Sequence, residues 1–301
     1  MKPTQNVDVA SQENAASFTS TVFGWWRKDV PLEVSYRYWR DVHSVMVARA
    51  PGIYQYRLLH LAPNRSDLWS AEGIDYTLPS EDQPHGIAEI LFSSQDNLQI
   101  YGSSELITKF VNKDEQNLCD RNVTMSSIGS NAHTYIDRTG EGTPNGEPAF
   151  PSFMVCIKQA DNIKVEDFRH HLVEEIARPW SARNEVMRLR LHLLEPFDES
   201  ENSPYVSHDW AKEKHYQAWI ELMLGDEAAR KQLFSSNEHA KFIKAIHTFP
   251  IVARYTMVYN GKLTIVCLRG FPAVQTIEQA GAENQKSPEL LEILYGDVVR
   301  G

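Results

Sequence analysis

Segments in which apolar and polar residues alternate are separated along this chain by segments of helical spacing, and the order of the two kinds repeats. SFTSTVFGWW (residues 17–26) has strand character, and PLEVSYRYWRDVHSVMVARA (31–50) sets Val34, Tyr38, Val42, Val45, Met46 and Arg49 at helical spacing. Pro51-Gly52 stops that helix. IYQYRLLHLAP (53–63) alternates like a strand, a polar loop runs from Asn64 to Pro84, and HGIAEILFSS (85–94) is a second strand. DNLQIYGSSELITKFVNK (96–113) reads as a second helix, and NVTMSSIGSNAHTYID (122–137) closes the unit less cleanly.

The later chain has the same order. SFMVCIKQ (152–159) is a strand, and KVEDFRHHLVEEIARP (164–179) is a helix with Val165, Phe168, Leu172 and Ile176 on one face, ended by Pro179. EVMRLRLHLLEP (185–196) follows, then a polar loop through Asn202 to Pro204, then the strand HYQAWIELML (215–224). A helix from Asp226 to about Ile246 and a strand PIVARYTMVYN (250–260) complete the series.

Three anchors support an overlay of the halves: HxxAxI at His85 to Ile90 and His215 to Ile220, RLLHLAP against RLHLLEP, and Lys109-Phe110 against Lys241-Phe242. The chain then divides into a flexible tail (1–17), a first repeat (18–137), a Gly/Pro-rich linker (138–151), a second repeat (152–260) and a C-terminal extension (261–301). Each repeat reads β-α-β-β-α-β, a ferredoxin-like unit whose helices cover one face of its sheet. The other face must be buried, and the second copy can bury it. The expected fold is therefore α+β, two tandem ferredoxin-like repeats whose sheets pack face to face as a pseudo-dimeric α/β barrel with a central cavity. The extension contributes an apolar LTIVCLRGF segment and a helix at SPELLEILYGDVV, with Ser287 as cap and Pro288 behind it.

Charge and composition limit the functions available. The 301 residues carry 30 Lys plus Arg against 40 Asp plus Glu, a net charge of −10, with 42% hydrophobic residues, which describes a soluble globule rather than a nucleic-acid binder. Arg178, Arg183, Arg188 and Arg190 form the one local basic cluster, read as a solvated or ion-paired surface, with a clamp on a substrate carboxylate as the alternative. Cys119, Cys156 and Cys267 fit neither a disulfide framework nor a zinc site and are expected reduced and buried. The start lacks a secretory signal and no stretch approaches the roughly 18 apolar residues of a membrane span, so the expected location is the cytoplasm. Neither GxGxxG after a strand, nor GxxxxGK[ST], nor GxSxG occurs, so nucleotide cofactors and a hydrolase triad have no support.

In the first helix, YWRDVHSVMVARAPGIYQY (38–56) resembles the signature of the EthD-like family: a Tyr-Trp pair, His43 four residues after the Trp, and Pro-Gly leading into a strand. The resemblance implies the dimeric α/β-barrel superfamily, which includes cofactor-free isomerases, cyclases, decarboxylases, lyases and oxygenases acting on aromatic or lactone substrates, with sister families that hold heme. The second helix, FRHHLVEEIARPW, departs from the signature but offers His170 or His171 as the counterpart of His43.

Histidine suits proton transfer because imidazole titrates near neutrality and serves as base and acid in turn. The expected function is therefore cofactor-independent lyase, isomerase or cyclase chemistry, with general acid/base catalysis by histidine on an oxygenated aromatic or apolar small molecule. The alternatives are a heme-dependent oxidoreductase or dehydratase with one axial histidine, and a non-enzymatic small-molecule binder. The candidate catalytic residues are His43, Tyr38, His171 and Arg254, the last as a donor to a developing enolate or phenolate. Trp25, Trp39, Tyr56, His60, His85, His192, His215, Trp219 and Tyr255 are the candidate substrate-binding residues. No histidine pair has a metal-ligand spacing, so no protein-bound metal is expected. The expected partners are a small-molecule substrate and, given the apolar extension, a second copy of the chain, with no nucleic acid and no membrane.

Overall fold

The alternating segments form strands, and their pairing repeats as the sequence overlay requires. The computed structural model describes residues 9–197, 205–226, 228, 230, 233–264, 266–267, 274–287, 289–290 and 293–294. In the first half, β1 (Phe18–Trp26), β2 (Ile53–Leu61), β3 (Gly86–Phe92) and β4 (Cys119–Ile128) lie in the order β4-β1-β3-β2. After β5 (Ala132–Asp137) and the short β6 (Asn145–Gly146) come β7 (Ser152–Gln159), β8 (Val186–Leu193), β9 (Ala218–Leu224) and β10 (Ile243–Tyr259), in the order β10-β7-β9-β8, and β11 (Lys262–Leu263) pairs with β10. The two orders are the same ferredoxin-like order, so the α+β class and the tandem repeat hold.

Two strands each serve both sheets. The first part of β10 pairs with β7 and, after a bulge near Ile251, the rest pairs with β2. Likewise β4 pairs with β1, turns at Gly129–Asn131, and continues as β5, which pairs with β8. These two crossings close the barrel, and they place AHTYID in the second sheet rather than in the first, where the sequence had set it.

Helices cover the outer faces. α2 (Leu32–Tyr38) passes through a π-helical turn (Trp39–His43) into α3 (Ser44–Val47), and Gly52 beyond it takes φ +88°, with its α-carbon so close to Asn97 O that a Cβ there would lie 2.3 Å away. α4 (Gln95–Ser103), capped by the Ser94 hydroxyl on Asn97 N at 3.2 Å, leads through a second π turn (Leu106–Val111) into α5 (Asn112–Leu118). In the second half α6 (Val165–His171), a π turn (Leu172–Ala177) and α7 (Arg178–Ser181) take the place of α2 and α3. The helix expected from Asp226 to Ile246 is not found as an α-helix among the described residues: 228, 230 and Asn237–Lys241 are 3-10, and Ile243 already belongs to β10. Ile243 to Phe249 is buried almost throughout, so its apolar positions carry no period of two, and its β-branched residues suit the sheet.

The expected central cavity is filled. Phe23, Leu59, Ile87, Val123, Met154, Trp219 and Phe249 pack into one cluster inside the barrel, each contributing on the order of 1.5–3 kcal/mol by burial. The other end of the interior holds Arg57, Glu89, Arg188, Arg190, Glu221 and Arg254, all buried. Arg188 and Arg190 are thus not surface residues as the sequence reading had them. The expected flexible tail also differs, because α1 (Val9–Asn14) closes this end with Glu13 buried. No helix among the described residues is long and apolar enough to cross a membrane.

Described parts of the extension, including Val266, Cys267, Ile277, α8 (Val274–Gln279), Ala282 and Leu290, pack with the helices of the first half. Val266 and Cys267 are buried within the chain's own core and Leu263 is exposed, while residues 265 and 268 lie outside the described residues. Much of SPELLEILYGDVV, and the loop Asn202 to Pro204, lie outside the described residues.

Candidate active site

His43 ends the π turn between α2 and α3, a local widening of the helix that shifts its side chain relative to a regular α-helical register. Its Nδ1 lies 2.9 Å from Asp114 Oδ2, on α5, 71 residues away. Asp114 is fully buried, and its other oxygen, Oδ1, accepts from Tyr38 Oη at 2.5 Å, Gln285 Nε2 at 2.6 Å and Asn117 Nδ2 at 2.7 Å. Four donors on one carboxylate fix both its position and its acceptor role. The imidazole therefore donates from Nδ1, and Nε2, which has no partner among the described residues, keeps its lone pair.

His43 borders an open cleft of about 80 Å³ between the first sheet and its helices, walled by Trp26, Trp39, Val47, Tyr56, Ile90 and Leu118, with Glu115, Asn122 and Thr124 as polar residues. Gly24 also lines the cleft, and it faces Gly86 across β1 and β3. A Cβ on Gly86 would lie 2.5 Å from the Trp39 ring, and one on Gly24 2.3 Å from that of Trp26, so both indoles rest on bare backbone. Tyr56 donates to Ser44 Oγ at 2.8 Å, and burial pushes its phenol well above its usual range, as it does, with help from Asp114, for Tyr38. Burial also raises the Cys119 thiol beside the cleft.

Of the residues singled out from sequence, His43, Tyr38, Trp39 and Tyr56 come together here. Tyr38 holds Asp114 and does not border the cleft. His60 sits behind Trp39, stacked between it (5.0 Å) and Tyr36 (4.5 Å), and burial pushes it down to about 3. His85 accepts from Trp26 N at 3.0 Å, and Tyr255 receives Arg40 at 3.2 Å against the outer side of His60.

The others lie elsewhere, which corrects their assignment. Trp25, Trp219, His192 and Arg254 point into the barrel: Trp25 lies under Arg121, Trp219 stacks on His192 at 3.9 Å, and Arg254 is held by Glu141 (2.8 Å) and Glu221 (3.0 Å). Both carboxylates flank this arginine inside the barrel, and its Nε makes no hydrogen bond among the described residues. His215 is bound to Trp210 O at 2.7 Å. His171 lies in the second half, 3.0 Å from His239 and stacked on Phe242, and is lowered to about 4 by burial and His239, while Ile176 stands where His43 would fall if α2 and α6 are aligned at their first residues.

Asp114, Asn117 and Gln285 were not singled out from sequence. Asp114 follows the last residue of the helix as read there, and Gln285 belongs to the extension; neither has a spacing that ties it to His43. Groups of three or more His, Cys, Asp or Glu able to hold a metal ion do not occur among the described residues. The cleft, at about 80 Å³, is smaller than the roughly 300–1,000 Å³ of pockets that enclose drug-sized ligands, so it admits part of a ligand and not the whole of one.

No family model matches the chain, and no curated protein matches it. Its structure is similar to that of a protein assigned as a monooxygenase from Fusobacterium nucleatum, at a TM-score of 0.48 and 8% identity over 83% of this chain and 97% of the other. An anthrone oxidase-like protein gives a TM-score of 0.46 and 10% identity over 81% and 94%, and a chlorite dismutase variant from Candidatus Nitrospira defluvii in complex with cyanide 0.38 and 11% over 81% and 95%. Likenesses of this size assign this chain neither a family nor an activity, and the EthD-like resemblance rests on residues 38–56 alone.

Proposed function

We propose that this chain is an enzyme in which His43, oriented by Asp114, performs general acid/base chemistry on an oxygenated aromatic or otherwise apolar small molecule. The reaction class is lyase, isomerase or cyclase. The observation that carries the reading is the His43–Asp114 pair: one ring nitrogen is fixed on a buried carboxylate and the other has no partner among the described residues, at the edge of an apolar-walled cleft. The reactive end of a substrate enters the cleft, Nε2 takes a proton from carbon or oxygen, and the imidazolium that forms is stabilised by Asp114. The same ring returns the proton to a second position or to a leaving group. Apolar walls keep water from competing for it.

The test needs no known substrate. Phenols, anthrones and lactones with acidic C–H bonds are incubated with the protein in D₂O, and exchange at carbon is followed by NMR. Exchange that depends on the protein and is lost in His43→Gln is the expected result. Exchange retained in that variant removes His43 from the mechanism, and binding without exchange across the panel favours a carrier over an enzyme.

A further inference from the structure

Inside the barrel, on the face of the sheet opposite His43, Glu13 occupies a receptor for a carboxylate. Its Oε1 accepts from Arg57 at 2.7 Å and Arg188 at 2.8 Å, and its Oε2 from Arg188 at 2.9 Å and the Thr134 hydroxyl at 2.5 Å, with Arg190 at 3.9 Å. The receptor belongs to the strands: Arg57 comes from β2, Thr134 from β5, and Arg188 and Arg190 from β8. Glu13 comes from a six-residue helix, too short to be stable alone. Among residues 9–16 only Glu13 and Ala16 are buried, so α1 is held by polar contacts, chiefly this carboxylate and the paired bonds of Asn14 with the backbone of Thr134 (3.0 and 2.7 Å).

Charge and space agree with this separation of receptor and occupant. Four guanidiniums, Arg57, Arg188, Arg190 and Arg254, are at most 5% exposed, and the carboxylates buried as deeply at this end of the barrel are Glu13, Glu89 and Glu221. Glu89 binds Arg57 and Arg190, Glu221 binds Arg188 and Arg254, and Asp137 and Glu141 hold Arg188 and Arg254 from the rim. Without Glu13, four buried cations face two buried anions, and Arg57 Nε and Arg190 Nη2 already lack hydrogen-bond partners among the described residues. A cavity of about 10 Å³, bordered by Glu13, Arg57, Arg188, Gln55, Pro144 and Tyr259, adjoins the site.

We propose that the charged end of the barrel is a binding site for a small monocarboxylate, and that Glu13 is its intramolecular occupant, exchangeable for a free ligand when α1 lifts away. The planar oxygen pair is recognised by two arginines and a hydroxyl, a pattern suited to a carboxylate and too confined for a phosphoryl group.

Glu13→Ala removes a CH₂–COO⁻ group, the framework of acetate, which defines the test. At constant ionic strength made up with chloride, the variant is expected to melt below wild type, and acetate is expected to restore its melting temperature along a saturable curve. Formate acts comparably and butyrate less, because the adjoining cavity adds little room. Wild type and Glu13→Gln, in which the slot stays filled, show no such response. A variant as stable as wild type, or one that acetate and chloride affect alike, overturns the proposal. If Glu13→Ala does not fold unaided, its refolding yield in acetate against chloride is the readout: a higher yield in acetate supports the site and equal yields overturn it.

Discussion

Replacing Asp114 by Asn is the substitution whose consequences the geometry fixes most completely. Asp114 Oδ1 receives three donors, from Tyr38, Asn117 and Gln285, and Oδ2 faces His43 Nδ1 at 2.9 Å. An asparagine keeps its one oxygen where three donors converge, so its NH₂ must face His43. Two donors cannot share that contact, and the imidazole proton moves from Nδ1 to Nε2, removing the lone pair on which base catalysis depends. The same tautomer reversal in a Ser-His-Asp triad lowers turnover about 10⁴-fold, and a loss of roughly 10²–10⁴-fold is expected here. Stability falls as well, because three bonds to a charged acceptor become bonds to a neutral one, costing about 2–4 kcal/mol in total and roughly 3–6 °C in melting temperature. Long-range ¹H–¹⁵N correlation spectra of the histidine rings read the tautomer directly. A His43 ring protonated at Nδ1 in both proteins would refute the reasoning.

Gly86→Ala should push the Trp39 ring off its floor, since the new Cβ would lie 2.5 Å from it, at about 1–3 kcal/mol; a melting temperature and tryptophan emission equal to wild type would show that the indole does not rest there. Cys119, Cys156 and Cys267 are all buried free thiols, and burial holds each above its usual range, so a disulfide reagent should label none rapidly in the native chain and all after denaturation. His192 is lowered from 6.5 to about 4 by burial, against the upward pull of Glu89. A folded-state pKa below the unfolded value means that its stabilisation is present above about pH 6.5 and is lost as the pH falls toward 4, roughly 3 kcal/mol. Denaturant melts of His192→Gln should be flatter across that window, and equal slopes for variant and wild type would contradict this.

The strand order and the duplication were legible because each rests on local periodicity, but the register was not, nor was the end of the second repeat, where a helix was expected from Asp226. RLLHLAP and RLHLLEP align Arg57 with Arg190, as the pairing of both with a β-strand glutamate confirms, Glu89 for one and Glu221 for the other. The HxxAxI overlay is two residues out, because Glu89 matches Glu221 and not Trp219. His60 and His192, the histidines of RLLHLAP and RLHLLEP, differ by one position in the overlay of those two segments, and one position reverses the face: His60 points to the helices and His192 into the barrel. The filled interior did leave a signal, since YRL, AEI, RLR and IEL put charges at alternate positions of strands with two buried faces. Asp114 left none, because a carboxylate 71 residues from its histidine is brought there by packing of α5 against the π turn.

The central claim is that acid/base chemistry resides at His43 and not at the histidine in the matching helix of the second half. Parallel measurement of protein-dependent deuterium exchange for wild type, His43→Gln and His171→Gln tests it most directly. The account predicts exchange in wild type and His171→Gln and its loss in His43→Gln; loss in His171→Gln with retention in His43→Gln would place the site in the other half of the barrel.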